Sequence, residues 1–470
     1  MAKRVLIVGA GLAGCLLAVY LARDGWEVDL RERRGDPRAQ GHIGGRSINL
    51  ALSARGFKAL RRAGLEEAML RDAVRMPGRM IHSRTGDLAF QPYSRNRSNA
   101  IVSVSRSRLN LTLLLAAAAE PTTHVTFHQR CTNLDAAKGM ATFVDDRNGT
   151  ESTAEADLVV GADGAFSALR DAMHKIEGFD YRQDWLSHGY KELAIPSVTT
   201  GHFAPFAMDP AALHIWPRGG SMMIALPNPG GSFTCTLFWP HAGEESFKAI
   251  GTAASARAHF AREYPDALSL MPTFDGDFAA NPVGSMLTVR CSPWSQGRAV
   301  LVGDAAHAIV PFFGQGANAS FEDCEALTDA LKESPGDLER AIRDYELARK
   351  RNADAIAQMA LENFVEMRDK TASRAFKWKK KLEHFLHGVA PKFFIPRYDM
   401  VSFSTIPYAD ALQKSHKQDG IRSRLVIFLL CCISGGLWAA LSDHRSSIFV
   451  FTFFCIGILI SFIWSATRNK

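Results

Sequence analysis

Residues 3–14 read Lys3-Arg4-Val5-Leu6-Ile7-Val8-Gly9-Ala10-Gly11-Leu12-Ala13-Gly14. A short apolar strand runs into three glycines spaced GxGxxG, and an apolar stretch continues to about Arg23 as a helix. A second strand, Glu27 to Arg31, ends beside Glu32, 18 residues after the last glycine. Strand, glycine turn, helix, strand and acidic residue form the dinucleotide-binding fingerprint in the context it requires. The glycines keep the turn tight and admit a pyrophosphate to a helix N-terminus, where backbone N–H groups lack partners. The candidate contacts are Gly9, Gly11, Leu12, Ala13 and Gly14, with Glu32 accepting from an adenosine ribose hydroxyl. An acidic residue there suits NAD or FAD and disfavours NADP, and the fingerprint alone does not choose further.

Two distant segments continue the pattern. Asp157 to Val160 leads into Gly161-Ala162-Asp163-Gly164, and Ala299 to Val302 leads into Gly303-Asp304-Ala305-Ala306-His307. The second runs on through Pro311-Phe312-Phe313-Gly314-Gln315-Gly316-Ala317-Asn318, with a helix expected from about Ala319. Spaced about 150 residues apart, the three segments imply a discontinuous α/β domain over residues 1–75, 100–178 and 286–332. Residues 76–99 and 179–285, with alternating Thr, Phe, Ile and Met broken by Pro-Asn-Pro-Gly-Gly at 227–231, are expected to build a mostly antiparallel substrate sheet. Residues 333–424 read as a C-terminal helical region.

Around this frame the composition is that of a folded protein of several domains: 470 residues, 47% apolar and 22% charged. The net charge of +7 is local. Residues 1–365 carry 39 Lys and Arg against 41 Asp and Glu, whereas residues 366–470 carry 16 against 7. A nucleic-acid protein would more often spread its basicity over the folded body, so nucleic acid is not expected as a partner. Eight Cys show no CxxC and no zinc spacing, so free thiols and no metal are expected. The start enters a strand at once, which reads as a cytoplasmic body without a cleaved leader.

The tail holds two uncharged runs of 17 residues, 425–441 (LVIFLLCCISGGLWAAL) and 448–464 (IFVFTFFCIGILISFIW), joined by SDHRSS. They read as a transmembrane hairpin, a two-helix anchor over residues 425–466. Lys414, Lys417, Arg422, Arg424, Arg468 and Lys470 would keep both ends on the cytoplasmic side. The alternative is a soluble core hairpin. Upstream, KWKKKLEHFLHGVAPKFFIP (377–396) suits either an anionic lipid surface or the solvated face of a helix. The expected location is membrane-anchored with a cytoplasmic body, the mitochondrial outer membrane in a eukaryotic host.

The trio GxGxxG, Asp163-Gly164 and Gly303-Asp304 resembles the class A FAD-dependent aromatic hydroxylases of the para-hydroxybenzoate hydroxylase type. Gly45 to Ser53 (GRSINLALS), Arg79 to Ser83 (RMIHS), Ser103 to Arg106, Leu213 to Arg218, Ser232 to Phe238, Asn363 to Arg368 and Phe394 to Tyr398 are similar to segments of the kynurenine 3-monooxygenase family within it. The resemblance covers most of residues 3–407. It implies a Rossmann-like FAD domain with an inserted antiparallel substrate sheet. It implies bound FAD, NADPH as a transient reductant and molecular oxygen as co-substrate. L-kynurenine would be hydroxylated to 3-hydroxykynurenine through a C4a-hydroperoxyflavin, with no side-chain nucleophile and no obligatory protein partner. Carried over by motif, Arg79, Tyr93, Asn363 and Tyr398 bind the substrate carboxylate. Asp304 binds the flavin ribityl chain. The backbone of Gly316, Ala317 and Asn318 faces the flavin pyrimidine edge, and Arg106, with Arg38 and Arg46 as weaker candidates, lies at FAD. Pro311 and Phe312 shape the reaction face, and His307 has a structural role or a role as base.

Two rivals remain at this level. A membrane flavoprotein acting on a quinone precursor or isoprenoid suits the tail but has little use for a buried Arg79. A tethered flavoprotein scaffold or redox sensor would bind FAD without substrate-stimulated NADPH oxidation.

Overall fold

A computed structural model describes residues 3–39, 49–175, 177–370, 388, 390, 391 and 393–441. Val5 to Val8 are all buried, as expected of a strand covered on both faces of a parallel sheet. It lies at the middle of a six-stranded sheet in the order Ser295–Gln296, Ala299–Leu301, Leu158–Gly161, Arg4–Val8, Glu27–Arg31 and Thr123–Thr126. Every pairing is parallel except that of the outermost strand, Ser295–Gln296. The register sets Val5 opposite Leu158 and Val159 opposite Ala299. The three motif-bearing segments therefore end side by side at the carboxyl edge of one sheet, where ligands of open α/β folds bind.

A seven-stranded sheet stands beside it, ordered Gly284–Ser292, Asp180–Ile195, Phe233–Pro240, Met222–Pro227, Ala212–Pro217, Gly78–His82 and Leu88–Pro92. Its pairings are antiparallel apart from Ala212–Pro217 with Gly78–His82. Strand alternation divides its side chains between two cores. Ile81, Ile215, Leu226 and Phe238 join Tyr93, Phe312, Phe313 and Phe364 on the inner face. Trp216, Met223, Leu237 and Trp239 pack outward against the helices Ala253–Glu263, Pro265–Leu268 and Phe274–Ala280.

The helices Gly316–Glu333 and Leu338–Val365 bind the two parts through a buried ion network. Asp323, fully buried, accepts from Arg349 Nε at 2.7 Å, from His307 Nε2 at 2.5 Å and from the backbone N–H of Gly303 at 3.0 Å. Arg349 also pairs with Glu322 at 2.9 Å, and Glu322 takes a second guanidinium, that of Arg55, at 2.5 Å. Arg55 donates further to the carbonyls of Met400, Val401 and Ile406 and lies 4.0 Å from the Tyr408 ring centroid. The C-terminal helices Arg397–Ser402 and Tyr408–Leu441 are thus fastened to the loop that carries Asp304. The five described cysteines with placed side chains are free and buried, which pushes their thiols up and leaves them unreactive.

The expected transmembrane hairpin is corrected. The run 425–441 is not a separate helix: it continues the helix Tyr408–Leu441, whose first turn is held to the body by the Tyr408 hydroxyl on Gln315 at 2.8 Å. Seventeen uncharged residues span ~25 Å, short of a hydrocarbon core of ~30 Å. Among the described residues no helix is long and apolar enough to cross a membrane. The expected membrane anchoring, cytoplasmic-face location and anionic-lipid partner lose that basis. The second run, the link between the two, Arg46 and most of 377–396 lie outside the described residues.

Burial works against a charged His307, but the Asp323 carboxylate outweighs it and raises the His307 pKa. The stability this pair adds is therefore complete below about pH 6.5 and fades as pH rises through the raised value. Replacing Asp323 with Asn should cost ~3–5 kcal/mol in urea unfolding and abolish that alkaline decline. A loss under about 1 kcal/mol would mean that the network carries little of the fold.

Candidate active site

The first glycine turn is built by backbone geometry that only glycine tolerates. Gly9 has φ of +102°, and a Cβ there would lie 2.6 Å from the Ala162 carbonyl oxygen. A Cβ on Gly14 would fall 1.9 Å from the Gly9 oxygen, so the turn and the helix Leu12–Arg23 press together. Gly11 caps that helix without a side-chain acceptor, leaving its first N–H groups for an anion. Leu12 and Ala13 pack against the core at the same end.

Glu32 is buried beside the turn and accepts from Ala10 N at 2.9 Å through one oxygen, and from Arg34 N and Nε at 2.9 and 2.8 Å through the other. Burial alone would raise its pKa; the bonds and charge of Arg34 outweigh it and hold the carboxyl below its ordinary value. The oxygen on Ala10 N keeps a lone pair for a ribose hydroxyl. Arg38, in contrast, forks onto Asp36 of its own turn at 2.7–3.0 Å and stands 5.4 Å from the Phe127 ring.

At the next strand end, Gly303 turns with φ of +59° and Asp304 opens the short helix Asp304–His307. Asp304 has an open side but lies deep among protein atoms, which raises its pKa, while the charges of His307 and Arg106 pull it down. Water on the open side offsets part of the rise. Arg106, the exposed first residue of the helix Arg106–Ala119, lies within electrostatic reach of Asp304. His307 turns its Nε2 to Asp323, so it is the structural reading of this residue that its hydrogen bonding matches. Asp163 caps its own loop, accepting from Ala168 N at 2.7 Å, and its other oxygen is buried without a partner among the described residues.

Beyond Asp304 the chain passes through the short 3-10 turn Pro311–Phe313 and Gly314, φ +65°, into the helix Gly316–Glu333. No side chain caps this helix, so the backbone N–H groups of Gly316, Ala317 and Asn318 remain free of a capping acceptor. The Asn318 side chain fixes the loop in place, donating to Gly314 O at 2.8 Å and Ala51 O at 2.9 Å and accepting from Ser53 N at 3.0 Å. Two uncapped helix N-termini, a buried carboxylate beside the first and an open one between them fit a dinucleotide such as FAD.

On the inner face of the seven-stranded sheet, Arg79 enters a box of aromatic rings. Its guanidinium carbon is 5.2 Å from the Tyr93 centroid and 5.1 Å from that of Tyr398, and the two tyrosines stack at 4.6 Å with 6° between planes. Burial opposes its charge, but the two tyrosines and Glu366 favour it, and its pKa is raised. The guanidinium and the two hydroxyls stand close enough to interact, but none of these contacts has hydrogen-bond geometry at Arg79 Nε or Tyr93 Oη, and both atoms are buried without a well-formed partner among the described residues. Burial pushes both phenols above their ordinary range, so they stay protonated donors. Ser94 Oγ bonded to Asp399 at 3.1 Å holds the two tyrosine segments together.

An apolar slot adjoins this box: Phe312 meets Phe364 at 4.3 Å and Phe238 at 5.0 Å, and Phe313 stacks on Tyr398 at 5.6 Å. Pro311 opens the turn that presents these rings. Asn363 gives its Nδ2 to the Phe312 carbonyl at 2.6 Å, which makes it a holder of that turn. The residues not anticipated from sequence are Phe313, Phe364 and Glu366. Each stands within a quoted motif, next to or near a residue that was singled out.

Residues 2–360 match the family model described as an FAD binding domain. The kynurenine 3-monooxygenase of Myxococcus xanthus (strain DK1622) is 48% identical over 422 residues, covering 90% of each chain. That of Stenotrophomonas maltophilia (strain K279a) is 49% identical over 418 residues, 88% of this chain and 90% of the relative. Among solved structures, the tetrameric form of 2-methyl-3-hydroxypyridine-5-carboxylic acid oxygenase superposes with TM-score 0.64 at 21% identity, covering 80% of this chain and 95% of that one. PqsL of P. aeruginosa in complex with 2-aminobenzoylacetate gives 0.63 at 19% identity, covering 78% and 97%. These structures share the fold, and the two sequence relatives fix the group within it: the chain belongs to the kynurenine 3-monooxygenase family of FAD-dependent aromatic hydroxylases.

Proposed function

We propose that Arg79, framed by Tyr93 and Tyr398, binds the substrate carboxylate in the reaction this chain carries out, the FAD-, NADPH- and oxygen-dependent hydroxylation of L-kynurenine to 3-hydroxykynurenine. The observation that carries the reading is the pair of buried, unpartnered polar atoms, Arg79 Nε and Tyr93 Oη, beside an aromatic slot. An unpaired buried guanidinium N–H is costly, and a carboxylate removes that cost by accepting from it. An isoprenoid hydrocarbon, which has no acceptor, would leave the same atoms unsatisfied.

None of these side chains supplies an electrophilic oxygen; bound FAD, reduced by NADPH, provides the oxygen chemistry. The protein's part is to hold the ring and keep water away. With the carboxylate on Arg79 and the two phenol hydroxyls, the aminophenyl ketone would extend toward Phe238, Phe312 and Phe364. Asn363 keeps Phe312 in place through its carbonyl. For the cofactor, Gly9, Gly11 and Gly14 with Leu12 and Ala13 form the pyrophosphate turn, Glu32 takes a ribose hydroxyl and Asp304 the ribityl chain. Arg106 adds positive charge at Asp304. The N-terminus at Gly316, Ala317 and Asn318 favours negative charge at the pyrimidine edge. Arg38, occupied by Asp36, contributes at most at the periphery.

Arg79→Ala should raise the kynurenine KM about 10- to 150-fold, from ~1.5–3 kcal/mol of charge-assisted bonding, while the yellow FAD complex survives gel filtration. Loss of FAD from that variant would put Arg79 in the wrong site. Phe312→Ala opens the slot to water, so hydroxylated product formed per NADPH consumed should fall severalfold, with hydrogen peroxide making up the difference. Unchanged coupling would remove Phe312 from the reaction face.

A further inference from the structure

The strand Gly78–His82 presents Arg79 and Ile81 inward and Met80 and His82 outward. It lies one strand from the sheet edge, paired on one side with the largely exposed Leu88–Pro92 and on the other with Ala212–Pro217. Its height above the aromatic slot therefore depends on what grips it from the outer face. That grip is a row of buried rings. His82 stacks on Trp216 at 4.0 Å; its Nδ1 is 2.6 Å from Asp266 Oδ2 and its Nε2 is 2.8 Å from His214 Nδ1. His214 Nε2 lies 2.8 Å from the Asp209 carbonyl oxygen.

The protons can be counted from these partners. The Asp209 carbonyl only accepts, so His214 Nε2 carries a proton. Asp266 Oδ2 also accepts the Trp216 indole N–H at 2.9 Å. Burial alone would raise the Asp266 pKa, but the His82 and Trp216 bonds outweigh it and lower it, so His82 Nδ1 donates to a carboxylate. The contact between the rings needs one more proton. Three protons on four ring nitrogens leave one positive charge on the pair as a whole, and burial pushes His214 down to about 4. Without the inner proton, two lone pairs would face each other at 2.8 Å and the rings would part.

The other charged groups around the pair are accounted for. From the helix Ala253–Glu263, Glu263 is paired with Arg84 and Arg262, and Tyr264 and Arg218 follow the same border. Arg218 donates to the carbonyls of His82, Ser83 and Glu263. Asp209 turns its carboxylate to Ala211 N, and His259 faces Arg262.

We propose that the singly charged His82–His214 pair, neutralised by Asp266, is a positioning device that holds the Gly78–His82 strand, and through it Arg79, at the height needed to bind the substrate carboxylate. The proposal rests on Arg79 being the carboxylate ligand. The hold is present while the inner proton is present and is lost as pH rises and removes it.

The test uses the FAD-loaded enzyme between about pH 6 and 9. Dissociation constants are read from flavin absorbance for kynurenine and for its analogue lacking the carboxylate, alongside kcat. In the wild type, the discrimination in favour of kynurenine should fall about fivefold or more with rising pH along a one-proton step. Asp266→Asn keeps an acceptor but removes the countercharge, and should move that step about one pH unit or more lower, with kcat within about twofold. Should that variant not fold, His214→Gln, which keeps an acceptor and a donor but does not titrate, should flatten or move the step. Discrimination that does not change with pH in the wild type, or a step at the same pH in the variants, overturns the proposal. Arg79→Ala should collapse the discrimination at every pH. If it does not, the carboxylate reading fails and the positioning role with it; if it does while the outer-face variants keep the wild-type step, the pin alone is wrong.

Discussion

A single buried carboxylate, that of Asp323, organises the centre of this molecule. It holds a guanidinium from one helix, an imidazole from the short helix after the third motif strand, and the backbone N–H of Gly303. A lone ion in that position would be costly, and its three donors make it tolerable. Because Gly303 precedes Asp304, the same bonds set where the proposed ribityl ligand stands. Through Arg349, Glu322 and Arg55 the linkage runs on to the carbonyls of Met400, Val401 and Ile406, two or more residues past Tyr398. The loop that carries Asp304 and the C-terminal side of the aromatic box around Arg79 are therefore parts of one ionic structure.

The sheet that carries Arg79 works on two faces with opposite demands. Its inner face leaves Arg79 Nε and Tyr93 Oη unpartnered, and its outer face pairs all four ring nitrogens of His82 and His214, with Asp266 Oδ1 the polar atom of that row left without a partner among the described residues. Unpaired groups survive inside a fold only where the surroundings hold them rigidly. The outer row of His82, His214, Trp216 and Asp266 supplies such a surround, and the stacked Tyr93 and Tyr398 supply it from the other side.

The nucleotide end was legible because glycine has few reasons to recur at such spacing. Gly9 and Gly14 are forced by contacts of 2.6 and 1.9 Å that any Cβ would make, and such constraints show directly in sequence. The adjacency of residues 4–8, 158–161 and 299–301 was legible only as three similar strand-turn motifs; their register is a matter of packing. Asn363 was legible as a motif member but not as a partner of the Phe312 carbonyl, since nothing local in sequence reveals a bond across 51 residues. Glu366 and Phe313 were hidden for the same reason. The tail misled because uncharged length was weighed without its neighbour: 425–441 extends a helix whose first turn belongs to the body. His82 and His214 gave no signal, because a lone His in a strand reads as packing until the second ring is seen beside it.

The parallel pairing of the three motif strands also fixes an order of events at birth. The strand Arg4–Val8 is made first, yet its partner Leu158–Gly161 emerges about 150 residues later, and Ala299–Leu301 must wait as long again. Until then the nascent chain carries an apolar strand with a bare edge, and closing such distant loops is slow. The dinucleotide bed cannot be complete before about two-thirds of the chain has left the ribosome, so cofactor capture can begin no earlier than the last third of synthesis.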